Sequence, residues 1–305
     1  MKIKVILNPY ANRWGAQSRL PEVEAALKGA GLDYDLALTS KAQEGTMLAK
    51  TAVSQNYDAV IAAGGDGTIS EVANGLITAV SPDNPTLPLG ILPIGSANDL
   101  AKMIDIPLDL SRAATLIAQG HTQQVDAGRI QYDGQTHYFD NNSASAMEPM
   151  ITLEHIKIKR VSGEARYYLA LLKGIIKLKA WQMSIKWDDG AYVGPTYLLS
   201  VCNGPRTGGM MMAPGALMDD GYLDIVLAPA LPKTTVIKIL LKLTKGTHTE
   251  HPAITFTRTK SLQITSEPGT PLHADGEILS ESAKEISYDL LPKKLTMLVP
   301  HPELR

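Results

Sequence analysis

Apolar positions early in the chain gather in short runs at residues 3–7, 34–38, 59–63 and 89–93, interrupted by a charge only at Lys4 and Asp35. Runs of this length, rich in Val, Ile and Leu, read as strands. Between them, near 16–28, 42–55 and 69–79, the apolar positions recur at the spacing of an amphipathic helix. A further helix is expected at about 110–119, ended by Gly120. Ser40, with Gln43 three residues later, reads as a capping box for the second helix. This alternation predicts an α/β domain over residues 1–125, built on a mostly parallel sheet covered on both faces. Ligands of such sheets bind beyond the carboxyl ends of the strands. Three loops lie there: the one opened by Asn8-Pro9, residues 64–68, and residues 95–99.

From about residue 125 the pattern changes. Tyr132-Asp133-Gly134-Gln135 and Trp187-Asp188-Asp189-Gly190 read as hairpin turns. Strands are predicted at 197–202, 223–227, 254–257, 262–265, 286–290 and 295–299, with helical insertions within 153–180 and at 234–245, the latter stopped by Gly246. The expectation is a second domain over 126–294, β-rich and antiparallel, with the tail 295–305 packing back on the first.

Composition narrows the picture. The chain has 305 residues, 44% of them hydrophobic, and a net charge of −2, with no aromatic stacking platform, so nucleic acid is not an expected partner. Its single cysteine, Cys202, excludes an intramolecular disulfide and fits a reducing cytoplasm. The opening residues are strand-like, unlike a signal peptide. The most apolar stretch, 167–178, is interrupted by Lys173 and Lys177 and is too short to span a bilayer, so any membrane contact is expected to be peripheral. The sequence admits a homodimer.

The chemistry concentrates in Gly64-Gly65-Asp66-Gly67-Thr68, between a predicted strand and a predicted helix. Glycines there let backbone N–H groups come close to a ligand, and the positive end of the helix dipole favours an anion such as phosphate. A carboxylate beside phosphate is repelled unless a divalent cation stands between them, which makes Asp66 a mark of phosphoryl transfer. The loop has neither a Walker A ending nor a Gly-x-Gly-x-x-Gly fingerprint. The bland alternative is an ordinary glycine-rich turn. One strand on, Gly95-Ser96-Ala97-Asn98-Asp99 repeats the design, although Asn98 and Asp99 also suit simple helix caps.

Together with Asn8-Pro9, with Glu71, Asn74 and Gly75 behind the first loop, and with Leu100, Ala101 and Lys102 behind the second, these residues resemble the diacylglycerol kinase catalytic family. The likeness is greatest to the bacterial soluble lipid kinases, which are related to sphingosine kinases and more distantly to NAD kinases. The matching motifs continue through Val125-Asp126-Ala127-Gly128, Gly208-Gly209, Ala213-Pro214, Asp219-Asp220-Gly221-Tyr222, Gly246-Thr247-His248 with His251-Pro252, and Asp275-Gly276-Glu277. They run in the family's order over nearly the whole chain.

The resemblance implies an ATP- and Mg²⁺-dependent kinase whose ATP binds between the domains. Its phosphates would lie against Gly64, Gly65, Asp66, Gly67, Thr68 and Glu71, and Asn8, Thr39, Ser96 and Asn98 would complete the nucleotide site. Glu277 would be the general base, and an acceptor hydroxyl does need a carboxylate to take its proton. The family also implies a second, structural Mg²⁺, held by Asp220 and the carbonyls of Leu217 and Tyr222, with waters linking it to Asp66, Asp99 and Asp126. Read without the family, Glu277 is equally a hairpin surface residue and the 219–222 stretch a solvated turn.

The chain departs from the pattern in places. Ser96 stands where threonine is usual, Lys102 replaces an arginine, Gly215 an aspartate, and Asn141 to Glu148 lacks the family's glycines. These changes touch the acceptor more than the reaction. Lys157, Lys159, Arg160, Arg166, Lys173, Lys177, Lys179 and Lys186 are interleaved with Ile156, Ile158, Val161, Tyr167, Leu171, Leu172, Ile175, Ile176 and Leu178, against the one acidic Glu164. The 234–245 helix adds Lys238 and Lys242 beside Ile237, Leu240 and Leu241. Basic amphipathic segments of this kind suit a lipid substrate met at an anionic membrane surface, although a core helix with a solvated lysine face gives the same pattern. Diacylglycerol is the default acceptor; phosphatidylglycerol, a sphingoid or ceramide-like lipid, NAD, or a non-catalytic binding role are the alternatives.

Overall fold

A computed structural model describes residues 1–11, 15–158 and 164–301, which divide into two compact units, Met1–Ala127 with Leu291–Arg305, and Gly128–Leu290. Lys159, Arg160 and Val161, and the side chains of Glu164, Arg166 and Tyr167, lie outside the described residues, as do 302–305 of the tail.

The first unit runs β1 (Lys2–Leu7), α1 (Gly15–Ser18), α2 (Leu20–Gly29), β2 (Asp33–Leu38), α3 (Glu44–Val53), β3 (Ala59–Gly64), α4 (Asp66–Ala79), β4 (Leu89–Pro93), α5 (Asp99–Met103), α6 (Leu110–Gln119) and the start of β5 (Thr122–Tyr132). Its sheet has the order β2-β1-β3-β4, every pair parallel. Every residue of β3 and β4 is buried, as expected where both faces carry helices. The α3 and α4 helices pack closely because Gly75 has no side chain: a Cβ there would sit 2.3 Å from the Thr46 carbonyl oxygen. The end of the chain returns to this unit, where Met297 pairs in parallel with Leu89. Nearby, the buried Lys294 ammonium donates to the carbonyls of Ser81, Pro82 and Asn84.

Two sequence expectations shift here. The glycine-rich loop is shorter than expected, because α4 already begins at Asp66 and the loop's last three residues form its first turn. The expected capping box does not form, because α3 starts at Glu44 and its N-cap is Gln43, not Ser40. Ser40 donates its N–H and hydroxyl to Glu44, while Gln43, in the left-handed region at φ 67°, makes no side-chain cap.

The second unit continues with β6 (Gln135–Phe139), β7 (Asn142–Ala146), α7 (Met147–Lys157), α8 (Glu164–Ile176), β8 (Trp181–Trp187), β9 (Gly190–Cys202), β10 (Arg206–Thr207), β11 (Met210–Met211), β12 (Leu223–Pro229), α9 (Lys233–Leu243), a 3₁₀ turn (Thr247–Glu250), β13 (Thr255–Thr259), β14 (Ser261–Ala274) and β15 (Glu277–Leu298). Its main sheet has the order β13-β12-β9-β7-β14-β15 and is antiparallel where registers are defined. Alternate residues of β9 and β12 feed two cores: Leu199, Val201, Ile225 and Leu227 enter one, and Leu198, Cys202, Val226 and Ala228 the other. That is why apolar residues stand at successive positions in 198–202 and 225–228, broken only by Ser200. A third cluster joins α7, α8 and α9 through Ile151, Ala170 and Val236. The predicted strands at 286–290 and 295–299 belong to one strand, β15, which runs through Pro292 and the left-handed Lys293 (φ 51°) to Leu298.

Candidate active site

In the first unit the carboxyl ends of β1, β3 and β4 bring the predicted loops together. Asn8 donates its backbone N–H to Ala63 O and its amide Nδ2 to Thr68 Oγ1 at 3.2 Å, and its Oδ1 accepts the Tyr10 N–H. Thr39 is buried, its N–H on Leu7 O. The N–H groups of Ile94 and Gly95 both donate to Gly64 O. Gly65 and Gly95 touch: a Cβ on Gly95 would lie 2.3 Å from the Gly65 Cα. At Gly64 a Cβ would collide with Thr68 Oγ1. Glycine is therefore required at these positions by close approach.

The second loop is closed by Asn98, which adopts the left-handed region (φ 52°). Its Oδ1 accepts the Gly95 N–H and its Nδ2 donates to Gly95 O. The two loops are joined again where Asp66 Oδ1 accepts the Leu100 N–H at 3.1 Å. Asp99 beside it is buried. Burial holds the Asp66 carboxyl above the ordinary carboxylate range; the Leu100 N–H opposes this and the charge of Asp99 adds to it.

The site residues divide by task. Asn8, Thr68 and Asn98 spend their side chains on bracing. Glu71 takes the Gln43 and Gly45 N–H groups on its two oxygens and so caps the start of α3. Gly67 and Ser96 are exposed, and Gly65 and Asp66 partly so. The exposed edge thus consists of backbone at a helix N-terminus, one hydroxyl and one carboxylate, which suits an anion with a cation beside it.

In the second unit Asp275-Gly276 forms a two-residue hairpin turn, φ 45° and 81°, between paired Ala274 and Glu277. Positive φ at both central residues is the type I′ geometry that Asp-Gly favours. The Asp275 carboxylate accepts the N–H groups of Asp140, Asn141 and Asn142, and its own N–H donates to Asn142 O. In the sequence Asp275 stands out only as a neighbour of Glu277, yet its carboxylate locks the turn that carries Glu277. Glu277 is half-buried, and the Tyr132 hydroxyl, raised first by its own burial, is raised further by the charges of Glu277 and Asp133.

The 217–222 loop presents a different picture from the one expected. Asp220 Oδ1 accepts the Tyr222 N–H and Oδ2 lies 3.2 Å from the Arg258 guanidinium, which also reaches Asp224. Among the described residues no cluster of three His, Cys, Asp or Glu is arranged to hold a metal. The oxygens of Asp66, opposed by burial and by the charge of Asp99, and those of the buried Asp99 fit a hard divalent cation well. Asp220 fits it less well, since Arg258 already neutralises it. Asp126 is fully buried and accepts the Lys293 N–H at 2.7 Å. His248 of the Gly-Thr-His motif is buried on Met212 O and serves packing.

Comparison with known proteins agrees with this geometry. Residues 2–130 match the model of the diacylglycerol kinase catalytic domain, and residues 145–299 match the YegS C-terminal NAD kinase beta sandwich-like domain. A protein named diacylglycerol kinase from Staphylococcus saprophyticus subsp. saprophyticus is 31% identical over 279 residues, covering 90% of this chain and 88% of that protein. The chain belongs to the diacylglycerol kinase catalytic family. A like-named protein from Staphylococcus aureus is 30% identical over the same length, covering 90% of this chain and 86% of its own. A crystal structure of a putative diacylglycerol kinase from Bacillus anthracis str. Sterne superposes with a TM-score of 0.78 at 26% identity, covering 100% of this chain and 98% of that one. Yeast NADH kinase, at 9% identity and a TM-score of 0.52, covering 99% of this chain and 84% of its own, shares the fold alone. The family makes the chain a kinase with an alcohol acceptor, with an α/β N-terminal domain and a β-rich antiparallel C-terminal domain.

One prediction follows from the Asp66 environment. A carboxyl whose folded pKa is raised loses stability as pH climbs through the ordinary carboxylate range, near about 4, because ionisation is opposed only in the fold. Asp66→Asn keeps an acceptor for Leu100. It should melt above the parent at neutral pH without ligand, with the difference vanishing in acid, and gain less stabilisation from Mg-ATP. Thermal melts across pH, with and without Mg-ATP, check both halves.

Proposed function

We propose that this chain transfers the γ-phosphoryl group of ATP, with Mg²⁺, to the free hydroxyl of diacylglycerol, giving phosphatidic acid and ADP. What supports the reading most is likeness over 90% of the chain to proteins named diacylglycerol kinase. In this reading the N–H groups around Gly65 and Gly67 bind the ATP phosphates, and Ser96 adds its hydroxyl. Asp66 and Asp99 hold the cation side, with Asp126 buried behind. Bound Mg²⁺ supplies neutralising charge to the phosphate oxygens. Glu277 accepts the proton of the lipid hydroxyl as its oxygen forms a bond to the γ-phosphorus; the bond from that phosphorus to the β,γ-bridging oxygen breaks and ADP leaves. The loop of Leu217, Asp220 and Tyr222 is the candidate for a second Mg²⁺, in competition with Arg258.

The acceptor lives in a bilayer, and among the described residues no helix is long and apolar enough to cross one. The α8 and α9 helices offer the surface for reaching it. Leu172 and Ile176 on α8, and Ile237 and Leu241 on α9, are 55%, 65%, 45% and 72% exposed. The two helices meet where Lys233 Nζ donates to Ile176 O. Exposed Lys177, Lys179, Lys233, Lys238, Lys242 and Lys245 lie among them, a combination that complements an anionic bilayer at about 1 kcal/mol per basic residue near the surface.

Glu277→Gln should reduce phosphatidic acid formation by about 10²–10⁴-fold while ATP binding, measured by calorimetry, stays near the parent value. Near-parent turnover would remove Glu277 as the base. The pair Ile237→Glu with Leu241→Glu should lose co-sedimentation with phosphatidylglycerol-rich vesicles and turnover on vesicle-borne diacylglycerol, yet keep turnover on a dispersed short-chain diacylglycerol. Undiminished sedimentation would place the membrane contact elsewhere.

A further inference from the structure

Beneath the Asp275-Gly276 turn lies a polar chain that the proposed reaction does not use. Glu148, in the first turn of α7, has a side chain only 13% exposed, and His273 on β14 one only 4% exposed. His273 Nε2 lies 3.0 Å from Glu148 Oε2. The same oxygen accepts Asn142 Nδ2 at 3.1 Å, and Asn142 Oδ1 accepts the Thr207 hydroxyl at 2.9 Å. On the far side of the imidazole, the Gly276 N–H donates to His273 Nδ1 at 3.4 Å.

These contacts fix the tautomer. A backbone N–H can only donate, so Nδ1 is the acceptor, Nε2 carries the ring proton, and that proton is given to Glu148. The pairing also fixes the faces of the sheet. His273 is opposite Ile278 and Ala274 is opposite Glu277, so the side chains of His273 and Glu277 leave opposite faces. The imidazole therefore grips the turn's backbone and does not touch the Glu277 carboxylate. Enclosing a carboxylate this far is expensive unless its hydrogen bonds are made, and Glu148 makes two through one oxygen while Oε1 is buried without a partner. A group kept at that expense, two hydrogen bonds from the turn that carries Glu277, has a use in holding the turn.

We propose that Glu148 and His273 are positioning residues: a carboxylate–imidazole brace that fixes the backbone at Gly276 and so sets where Glu277 meets the acceptor hydroxyl. The brace rests on the reading of Glu277 as base. The Asp275 clamp secures one side of the turn through Asp140, Asn141 and Asn142, and the brace secures the other. Asn142 joins them, since its backbone pairs with Asp275 and its side chain with Glu148.

The test compares two substitutions at one site. Glu148→Gln keeps a carbonyl oxygen for both donors but sets an amide into the buried place of Oε1. It should lower the melting temperature and retain kcat. Glu148→Ala removes the brace and should lower both, with kcat on diacylglycerol down about 10–100-fold and KM for ATP unchanged. If Glu148→Ala fails to fold, His273→Asn replaces it: its Oδ1 still meets Gly276, but the link to Glu148 is gone, and kcat should fall similarly. In a Glu277→Gln background either change should give no further loss. Equal kcat for the alanine, asparagine and parent proteins, with only melting temperatures changed, would reduce the pair to packing and overturn the brace. Turnover surviving Glu277→Gln alone would instead overturn the assignment of the base, so the two failures are separable.

Discussion

Backbone N–H groups can face a phosphate only where nothing else satisfies or covers them, and in the N-terminal unit that condition rests on Gly65 and Gly95 lying in contact. The contact draws the ends of β3 and β4 together and sets Asp66 against the start of α5, where it receives the Leu100 N–H. It also forces two carboxyl groups, Asp66 and Asp99, into a poorly hydrated corner. The raised pKa of Asp66 is the consequence of that crowding. Stability given up there fits a site meant to be completed by a cation and an anion, which bind the fold and offset the repulsion.

The C-terminal unit fixes its carboxylate by different means. No helix terminus is involved. A turn with both central residues at positive φ is locked by three N–H groups converging on Asp275. Beneath it, Leu272, Ala274, Ala283 and Ile286 of its two strands are buried in one apolar core, so the hairpin grows from a packed base and not from a mobile loop. A carboxylate carried on such a turn is positioned by its backbone.

Much of this was legible in the sequence, for physical reasons that differ along the chain. Strands at β3 and β4 were plain because full burial makes every position apolar. Gly120 and Gly246 marked helix ends because both adopt the left-handed region there. The Asp-Gly pairs at 133–134 and 275–276 announced their turns for the same reason. What stayed hidden was pairing between distant residues. Glu71 looked like part of the phosphate loop, but it caps α3 through Gln43 and Gly45. Arg258 gave no local sign that it would neutralise Asp220, and a lone Glu148 gave none that His273 would meet it. A carboxylate following a run of small residues, with histidine ahead of Asp-Gly-Glu, was the available hint.

The family fixes the reaction class, while the acceptor rests on likeness and on the surface formed by α8 and α9. The most direct measurement is to incubate the purified protein with γ-labelled ATP and Mg²⁺, offering diacylglycerol, phosphatidylglycerol and a sphingoid base in separate vesicles and NAD in solution, and to follow label and ADP together. The account predicts label in phosphatidic acid at one equivalent per ADP formed, with the other acceptors far behind. Label appearing chiefly in NADP, or in no acceptor despite tight ATP binding, would contradict it.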